Sequence, residues 1–489
     1  MEIPVLLSTS RPRRRLLLGA TAVLGLLLSF VVFTSLTSTS PARAAGGTFR
    51  NPVGTGPDPF MTYFNGNYYL AMTEGDSIKI RRSPSAAGLL RATPIEVWRD
   101  SNTSRNKDVW APEFHQVGDR WYLYYTADDG VDENHRLYVL ESDANDPAGS
   151  YHFKAKLTPP NRDVFAIDPS LMKHNGKLYL SWSGTNQYQH NGINLAPLSN
   201  PWTVSGNAVA INAGGDCAEV REGPAFLYRN GRTWMTYSVC DTGKPDYKLW
   251  MTSIAATADP LATANWQQHD GAVFSRSDAR GVFSPGHHSF FTSPDGTQDW
   301  IVYLAKTTSV NTYSDRTSRI QRISWNSDGS PNLGEPLAIG ASQELPAGDP
   351  GPSTGWINDD GRSSGVGSLA YSGTWSTGTT CAAQCFWGDD HWSGAAGATA
   401  TFTFTGTQLA LLSVRDVGNG IAAISIDGQA EKRVDFYPSN RIRVGEWMNY
   451  LSPKLSSGTH TVKVRVTGDK NAASDGTTIS IDRAEVWTN

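Results

Sequence analysis

Short stretches in which apolar and polar residues alternate make up most of the chain, and Gly, Asn, Asp and Pro bound them. Residues 68–72, 121–125 and 178–182 are three such stretches, each rich in Tyr and Leu. A two-residue period between turn-forming residues is typical of β-strands, whereas the 3.6-residue period of amphipathic helices is scarce here. The pattern predicts an all-β protein.

Five units of the chain, all within residues 45–343, repeat one order of features. Each unit has a polar residue beside Pro or Gly, a first strand, a turn with Gly and an aromatic second strand. The polar residues lie 55, 55, 54 and 65 positions apart and are Asp58, Glu113, Asp168, Glu222 and His287. A propeller blade of four short strands needs about 40–50 residues, so the repeat predicts a five-bladed β-propeller. A β-sandwich is the alternative, but it does not require a polar residue at the same phase of each repeat.

The innermost strand of each propeller blade lines the axis, so the five polar side chains are predicted to converge on one pocket. Hydrolysis of a glycosidic bond needs a protonated carboxylic acid and a second, ionised carboxylate. Neighbouring carboxylates raise the pKa of one another, which lets one of them keep its proton. The alternative for any single acid is that it caps a turn beside Pro.

Three short motifs occur in a fixed order: "PDPF" with Asp58, "IDPSL" with Asp168 and "EGP" beginning at Glu222, before a "GH" and an aromatic strand. Together they resemble glycoside hydrolase family 43 over about residues 50–340. The resemblance implies a five-bladed propeller and an inverting mechanism. It also implies that Asp58 is the general base, that Asp168 raises the pKa of the acid and orients it, and that Glu222 is the general acid.

The same resemblance implies roles for further residues. In "SPGHHSF", His287 matches an axial histidine that contacts a mostly hydrated structural Ca²⁺, with no organic cofactor; an ordinary hydrogen-bonding histidine is the alternative. Arg316 matches an arginine that reaches toward the substrate, with a surface ion pair as the alternative. Trp110 is expected to form a wall of the substrate pocket, or else to belong to the core. Glu113 lies outside the family's catalytic trio and is interpreted either as structural or as a residue that supports the catalytic ones.

Residues 344–355, "ELPAGDPGPSTG", are dense in Pro and Gly and predict a linker. Residues 356–489 contain further alternating strands and predict a jelly-roll-like β-sandwich. The segments "ISIDG" and "ISIDRAEVW" resemble galactose-binding-like carbohydrate-binding modules. The tryptophans beside Cys381 and Cys385 are candidates for stacking on sugar, namely Trp375, Trp387 and Trp392. A purely structural domain that supports the propeller is the alternative.

Residues 1–44 predict a signal peptide, because arginines at 11 and 13–15 precede an apolar run and an A-x-A site before Ala45. The run is long enough for an uncleaved membrane anchor as the alternative. Four cysteines in an exported chain predict disulfides with three possible connectivities. Pairing within each domain, Cys217 with Cys240 and Cys381 with Cys385, is the expected choice.

Charge narrows the set of partners. The precursor carries a net charge of −4, and without its leader it has 37 basic and 45 acidic residues, a net charge of −8. A mildly acidic chain without a basic stripe argues against nucleic acid and suits a neutral polymer.

The sequence thus predicts a secreted, monomeric enzyme that releases L-arabinofuranose from arabinan or arabinoxylan side chains of plant cell wall. A β-xylosidase, an endo-arabinanase, a galactan-cleaving relative and a non-catalytic sugar-binding propeller are the alternatives.

Overall fold

Antiparallel strands form almost all of the regular structure in the computed structural model of the chain, which describes residues 47–379, 381, 385–437 and 443–488. Within these ranges the helical segments are short 3-10 turns, at Ala86–Arg91, Asp132–Asn134, Thr263–Asn265, Asp278–Arg280 and Phe386–Gly388. None of the described segments is a helix with the length and apolarity that a membrane span requires. The prediction of an all-β protein is confirmed, whereas the predicted leader, residues 1–44, lies outside the described residues.

After strand β1 (Thr48–Arg50), five antiparallel sheets follow one another between residues 60 and 322, a range that the structure describes in full. Sheet 1 consists of β2 (Phe60–Phe64), β3 (Asn67–Ala71), β4 (Ile78–Ser83) and β5 (Ile95–Trp98). Sheet 2 consists of β6 (Lys107–Val117), β7 (Arg120–Asp128), β8 (Arg136–Ser142) and β9 (Tyr151–Leu157). Sheet 3 consists of β10 (Ala166–His174), β11 (Lys177–Gly184), β12 (Gly192–Asn200), β13 (Thr203–Val204) and β14 (Val209–Ala210). Sheet 4 consists of β15 (Arg221–Arg229), β16 (Arg232–Val239), β17 (Lys248–Ala255) and β18 (Gln267–Gln268).

Sheet 5 consists of β19 (Phe283–Thr292), β20 (Asp299–Lys306) and β21 (Thr317–Arg322). Three short strands follow it, β22 (Ser324–Trp325), β23 (Pro331–Asn332) and β24 (Ser342–Glu344). In every sheet the strands pair in chain order, except that β14 returns to pair with β12. Strand β22 pairs with β23, and β24 pairs with β1.

The first two strands of each sheet are joined by a tight turn at a glycine. The φ angles of these glycines lie between 65° and 81°, in the left-handed region, at Gly66, Gly118, Gly176, Gly231 and Gly296. A residue with a side chain adopts this conformation only at a cost, whereas glycine adopts it freely. The predicted order of first strand, glycine turn and aromatic second strand is therefore present five times in residues 60–306.

Apolar side chains fill the space between successive sheets. Buried clusters lie between sheets 1 and 2, 2 and 3, 3 and 4, and 4 and 5. A fifth cluster, which includes Leu70 and Trp300, lies between sheet 5 and sheet 1. The first strands follow the same cyclic order, since β2 contacts β6 and β19 contacts β2. The Val53 N–H also donates to the Ser318 carbonyl on β21 at 2.9 Å, which joins the two ends of this cycle.

The strands after Gly355 form a second group around their own core. One sheet has the order β25-β36-β30-β33, a second has β26-β29-β34-β31-β32 and a third has β27-β28-β35. The strands are β25 (Gly355–Asn358), β26 (Gly367–Ser372), β27 (Ser376–Gly378), β28 (Asp390–Ser393), β29 (Thr399–Gly406), β30 (Gln408–Arg415), β31 (Ile421–Ile426), β32 (Lys432–Asp435), β33 (Val444–Leu451), β34 (Gly458–Val466), β35 (Ile479–Ile481) and β36 (Arg483–Trp487). All three sheets contribute to one apolar core that includes Phe402, Leu411 and Ile481.

Disulfides occur in both groups of strands, and each pairing is the expected one. Cys217 is bonded to Cys240 beside sheet 4, and Cys381 is bonded to Cys385 in the second group. The two groups also touch, because Gln408 Nε2 donates to Asn67 Oδ1 at 3.4 Å.

Candidate functional site

Four of the side chains singled out in the sequence meet where the first strands of sheets 1, 3, 4 and 5 begin. Asp58 lies two residues before β2, while Asp168, Glu222 and His287 lie in the first halves of β10, β15 and β19. The His287 Nδ1 atom is 3.3 Å from Asp58 Oδ1 and 3.9 Å from Asp168 Oδ2. The charges of Asp168 and His287 in turn act on the pKa of Glu222. We refer to Asp58, Asp168, Glu222 and His287 as the carboxylate cluster.

The backbone has positive φ angles at, or directly after, each residue whose side chain enters this cluster. Asp58, Asp168, Gly223 and His287 have φ angles of 55°, 55°, 55° and 32°, and Ala111 has 47° at the equivalent position of sheet 2. The ladders of β10, β15 and β19 shift register at these points. Bulges redirect side chains, and left-handed backbone at non-glycine residues persists only where the surrounding structure enforces it. The strained turns therefore aim the carboxylates at one point.

Sheet 2 departs from the repeat that the sequence predicted. In β6 both Asp108 and Ala111 have positive φ angles, and Ala111 is the one that precedes a proline, as Asp58 and Asp168 do. Glu113 therefore lies two positions beyond the equivalent residue and outside the carboxylate cluster. The Glu113 Oε2 atom is 2.8 Å from His115 Nε2. Glu113 also lines a cavity of about 360 Å³, to which the first strands of all five sheets contribute. Its interpretation as a residue outside the catalytic trio agrees with this position.

Asp58 is held by a hydroxyl that in turn is fixed by the neighbouring sheet. The Thr73 hydroxyl donates to Asp58 Oδ2 at 2.7 Å, and its oxygen accepts the Ala111 N–H at 2.8 Å. The Asp58 side chain remains 12% exposed, compared with 7% for Asp168. Asp58 is thus held by a hydrogen bond and keeps some contact with solvent, the position that a base acting on water requires.

Glu222 has the surroundings of an acid. Burial and the charge of Asp168 raise the pKa of Glu222 to about 8, although His287 and a hydrogen bond from Tyr247 act in the opposite direction. The Tyr247 hydroxyl donates to Glu222 Oε1 at 2.7 Å. A carboxyl with this pKa keeps its proton at neutral pH and can give it to a leaving oxygen.

Asp168 lies between the other two carboxyl groups. Burial and the charge of Asp58 raise its pKa well above the usual range, and a 3.0 Å hydrogen bond from the Gly223 N–H opposes this effect. Because the pKa values of the buried Asp168 and Glu222 are both raised and like charges oppose ionisation, these two carboxyl groups do not both ionise at neutral pH. The cluster therefore holds protons that a reaction can use.

The two residues expected to contact substrate lie beside the cluster rather than in it. The half-buried Trp110 precedes the strained Ala111, and its ring centroid is 4.2 Å from that of the buried His135. The Arg316 Nε donates to the Tyr313 carbonyl at 2.8 Å, and no ion pair joins Arg316 to the cluster in the part of the chain that the structure describes. Burial and Asp241 raise the pKa of Tyr313, and the charge of Glu222 adds to this shift, so the segment of Tyr313 and Arg316 lies within electrostatic range of the cluster.

Two carboxylates lie within 4 Å of the His287 ring nitrogens in the described part of the chain. Calcium takes six to eight oxygen ligands, and the carboxylate oxygens within 4 Å of the ring belong to Asp58 and Asp168. Among the described residues, the groups close enough to share an ion are elsewhere, at Asp128, Asp132 and His135 and at Asp216 with the bridged Cys217 and Cys240. A hydrated calcium ion at His287 stays a prediction.

The three tryptophans of the second group occupy different environments. Trp387 is 50% exposed with a φ of 60°, and its ring stacks on Phe386 at a centroid distance of 5.0 Å. Trp392 is 39% exposed on β28. Trp375 packs against the core, with its ring 4.8 Å from that of Tyr371. In the described ranges no ring contact joins the three, and their role in binding sugar stays a prediction.

Several residues of the site gave no signal in the sequence. Thr73 and Tyr247 lie 15 and 25 positions from the carboxylates to which they donate. Gly223 follows Glu222 in the "EGP" motif, and its N–H holds Asp168. One feature of the sequence could have placed the strained turns: a proline follows a residue of positive φ near the first strand of every sheet, at Asp58, Ala111, Asp168, Gly223 and Ser284.

Comparisons with known proteins agree on one family. Residues 49–331 match the family model described as glycosyl hydrolases family 43. An extracellular exo-alpha-(1->5)-L-arabinofuranosidase of Streptomyces avermitilis is 35% identical over 341 residues, which cover 66% of this chain and 70% of that protein. Alpha-L-arabinofuranosidase B of Pyricularia oryzae is 32% identical over 303 residues, 58% of this chain and 62% of its own length.

A solved structure extends the similarity to the fold. The crystal structure of an alpha-L-arabinofuranosidase from Lactobacillus brevis superposes with a TM-score of 0.56 and 29% sequence identity. The match covers 60% of this chain and 98% of that one. The carboxylate cluster lies inside the region that the family model matches.

Proposed function

The chain belongs to glycosyl hydrolases family 43, and from this premise we propose that it is an inverting exo-α-L-arabinofuranosidase. Its substrate would be the arabinan or the arabinoxylan side chains of plant cell wall. Two relatives at 35% and 32% identity are named as arabinofuranosidases, which supports the sugar. The observation that carries the proposal is the pairing of a proton-holding Glu222 with a hydrogen-bonded, more exposed Asp58 in one cluster.

The mechanism follows from the surroundings of the three carboxyl groups. Asp58 takes a proton from a water molecule as the water oxygen attacks the anomeric carbon. The glycosidic bond breaks, and Glu222 gives its proton to the departing oxygen. Asp168 contributes its charge, which raises the pKa of Glu222, so that the acid is protonated before the reaction. Attack from the face opposite the leaving group inverts the anomeric centre.

The proposal includes a fold in which sheets 1–5 are the blades of a propeller around an axis. The cyclic contact of the first strands and the apolar cluster between sheets 5 and 1 support this arrangement. Residues 45–343 would form the propeller, 344–355 the linker and 356–489 a β-sandwich. The single apolar core shared by the sheets after Gly355 supports the sandwich.

We also propose that the enzyme is secreted and acts as a monomer, with residues 1–44 as its signal peptide. The word "extracellular" in the name of the Streptomyces avermitilis relative supports the location. The C-terminal sandwich would bind carbohydrate. Trp387 is its strongest candidate for contact with sugar, because it is half exposed and held in a left-handed backbone conformation.

The experiment that tests the function is hydrolysis of an aryl α-L-arabinofuranoside and of an aryl β-xyloside by the mature protein and by Glu222→Gln. The arabinofuranoside should be cleaved, and Glu222→Gln should lose about 10²–10⁴-fold in rate while staying folded, because it cannot donate the proton. Cleavage of the xyloside alone would make the protein a β-xylosidase. If no sugar is released from these substrates or from arabinan, the protein would instead be a non-catalytic, sugar-binding propeller.

A further inference from the structure

The segment between β16 and β17 carries a tyrosine into the carboxylate cluster. Its first residue, Cys240, is bonded to Cys217. In its middle, the Gly243 carbonyl accepts a hydrogen bond from the buried Lys306 ammonium at 2.8 Å. Near its end, the Pro245 carbonyl accepts the Ser284 N–H at 2.8 Å. The segment is therefore fixed at three points before it reaches Tyr247.

Strand β19 leaves space for the ring of that tyrosine. Tyr247 is fully buried, and a Cβ atom added at Gly286 would lie 2.3 Å from its Cε1 atom. Backbone contact this close tolerates no side chain, so a glycine is required beside the ring. Gly286 directly precedes His287, so the glycine beside the Tyr247 ring is adjacent in the chain to a member of the carboxylate cluster.

The hydroxyl of Tyr247 is a hydrogen-bond donor to Glu222 in the structure. It donates its proton to Glu222 Oε1 at 2.7 Å. Burial and then the charge of Glu222 raise the pKa of Tyr247 well above its usual value, so the phenol stays neutral and remains a donor. Because Oε1 accepts this bond, the proton of the carboxyl group is directed to Oε2.

We propose that Tyr247 is a positioning residue for the general acid, which fixes Glu222 Oε1 and turns the proton-bearing Oε2 toward the leaving oxygen. This inference rests on the proposed function, because it assumes that Glu222 is the acid. A hydrogen bond to a carboxylate also favours the ionised form. Tyr247 therefore lowers the pKa of Glu222 from the still higher value that burial and Asp168 would impose.

The kinetic test compares Tyr247→Phe with the wild type on two arabinofuranosides. An oligosaccharide has a poor leaving group that needs a proton, whereas dinitrophenolate leaves without one. We expect kcat for the oligosaccharide to fall about tenfold, the effect of one well-placed hydrogen bond, with little change for the dinitrophenyl substrate. The basic limb of the pH profile should move to higher pH. Equal losses on both substrates, or an unmoved limb, would overturn the proposal.

The matched control is Tyr124→Phe, which removes another buried hydroxyl whose 2.7 Å hydrogen bond goes to the Pro201 carbonyl. It should cost similar stability and leave the rates on both substrates unchanged.

A second readout needs no activity: the carboxyl carbon of Glu222 is followed by ¹³C NMR against pH, with Glu222→Gln to assign its signal. The apparent pKa should rise in Tyr247→Phe, and an unchanged value refutes the role of Tyr247. A wild type that titrates as described but cleaves nothing would refute the proposed function instead.

Discussion

At the scale of single residues, the ability of Glu222 to hold a proton comes from its neighbours. Burial and Asp168 raise its pKa to about 8. Glu222 therefore carries its proton below that pH and loses the proton above it. The reaction rate should accordingly fall on the basic side of a pH profile near pH 8. A general acid that works at neutral pH needs a pKa raised in this way.

Asp168→Asn tests that cause directly. Removing the charge of Asp168 takes away one of the two main effects that raise the pKa of Glu222. The basic limb of kcat/KM should therefore shift to lower pH, and the rate at neutral pH should fall. The measurement is the pH dependence of kcat/KM on an aryl arabinofuranoside, with a folded variant verified by circular dichroism. A limb that stays in place would contradict the role given to Asp168.

The sequence allowed the convergence of Asp58, Asp168 and Glu222 to be predicted because each acid stands beside Pro or Gly at a repeated phase. It did not allow Thr73, Tyr247 or Gly286 to be predicted. These residues act through contacts between segments that are distant in the chain, and nothing local in their neighbourhood differs from an ordinary strand end. For sheet 2 the repeat suggested Glu113, whereas the strained position belongs to Ala111, two residues earlier.

At the scale of elements, the bulged starts of the first strands convert a regular repeat into a site. Gly223 shows how narrow the tolerance is. Its φ is 55°, and a Cβ atom there would lie 3.3 Å from His287 Cγ. The same glycine donates the hydrogen bond to Asp168. An added methyl group would therefore disturb two members of the carboxylate cluster at once.

Gly223→Ala and Gly176→Ala separate backbone strain from crowding. Gly176 has a φ of 69° and nothing within 4 Å of an added Cβ, so its substitution should cost about 1–2 kcal/mol of folding free energy for the left-handed conformation alone. Gly223→Ala should cost at least as much and should also lower kcat by tenfold or more, about 1.4 kcal/mol. Urea unfolding and kinetics measure the two effects. Full activity in Gly223→Ala would show that the turn does not position the cluster.

At the scale of the whole molecule, the five sheets pack in a cycle, and the N-terminal segment joins the two ends of that cycle. The Val53 N–H donates to the Ser318 carbonyl, and strand β1 pairs with β24. The all-β class and the order of strands along the chain could be predicted, because alternation and glycine turns are local signals. The contact between Gln408 and Asn67 could not, because it depends on how two independently patterned groups of strands meet.

Of the covalent bonds, the Cys217–Cys240 disulfide matters most for the site, since it spans 23 residues that include Glu222 and Gly223. Closing a loop of this length in the unfolded chain is worth about 3 kcal/mol. Replacing both cysteines with serine should lower the free energy of unfolding by about that amount, measured in denaturant. It should also lower activity, because Cys240 fixes the segment that carries Tyr247. A variant with unchanged stability would contradict this estimate.

We propose that Asp58 and Glu222 act on opposite faces of an arabinofuranoside. The most direct test is ¹H NMR of the arabinose released in the first moments of hydrolysis of an aryl α-L-arabinofuranoside, before the anomers equilibrate. Under an inverting mechanism the β-anomer appears first, and the α-anomer grows in only by mutarotation. If the α-anomer appears first, the configuration is retained, and Asp58 cannot be the base that activates water.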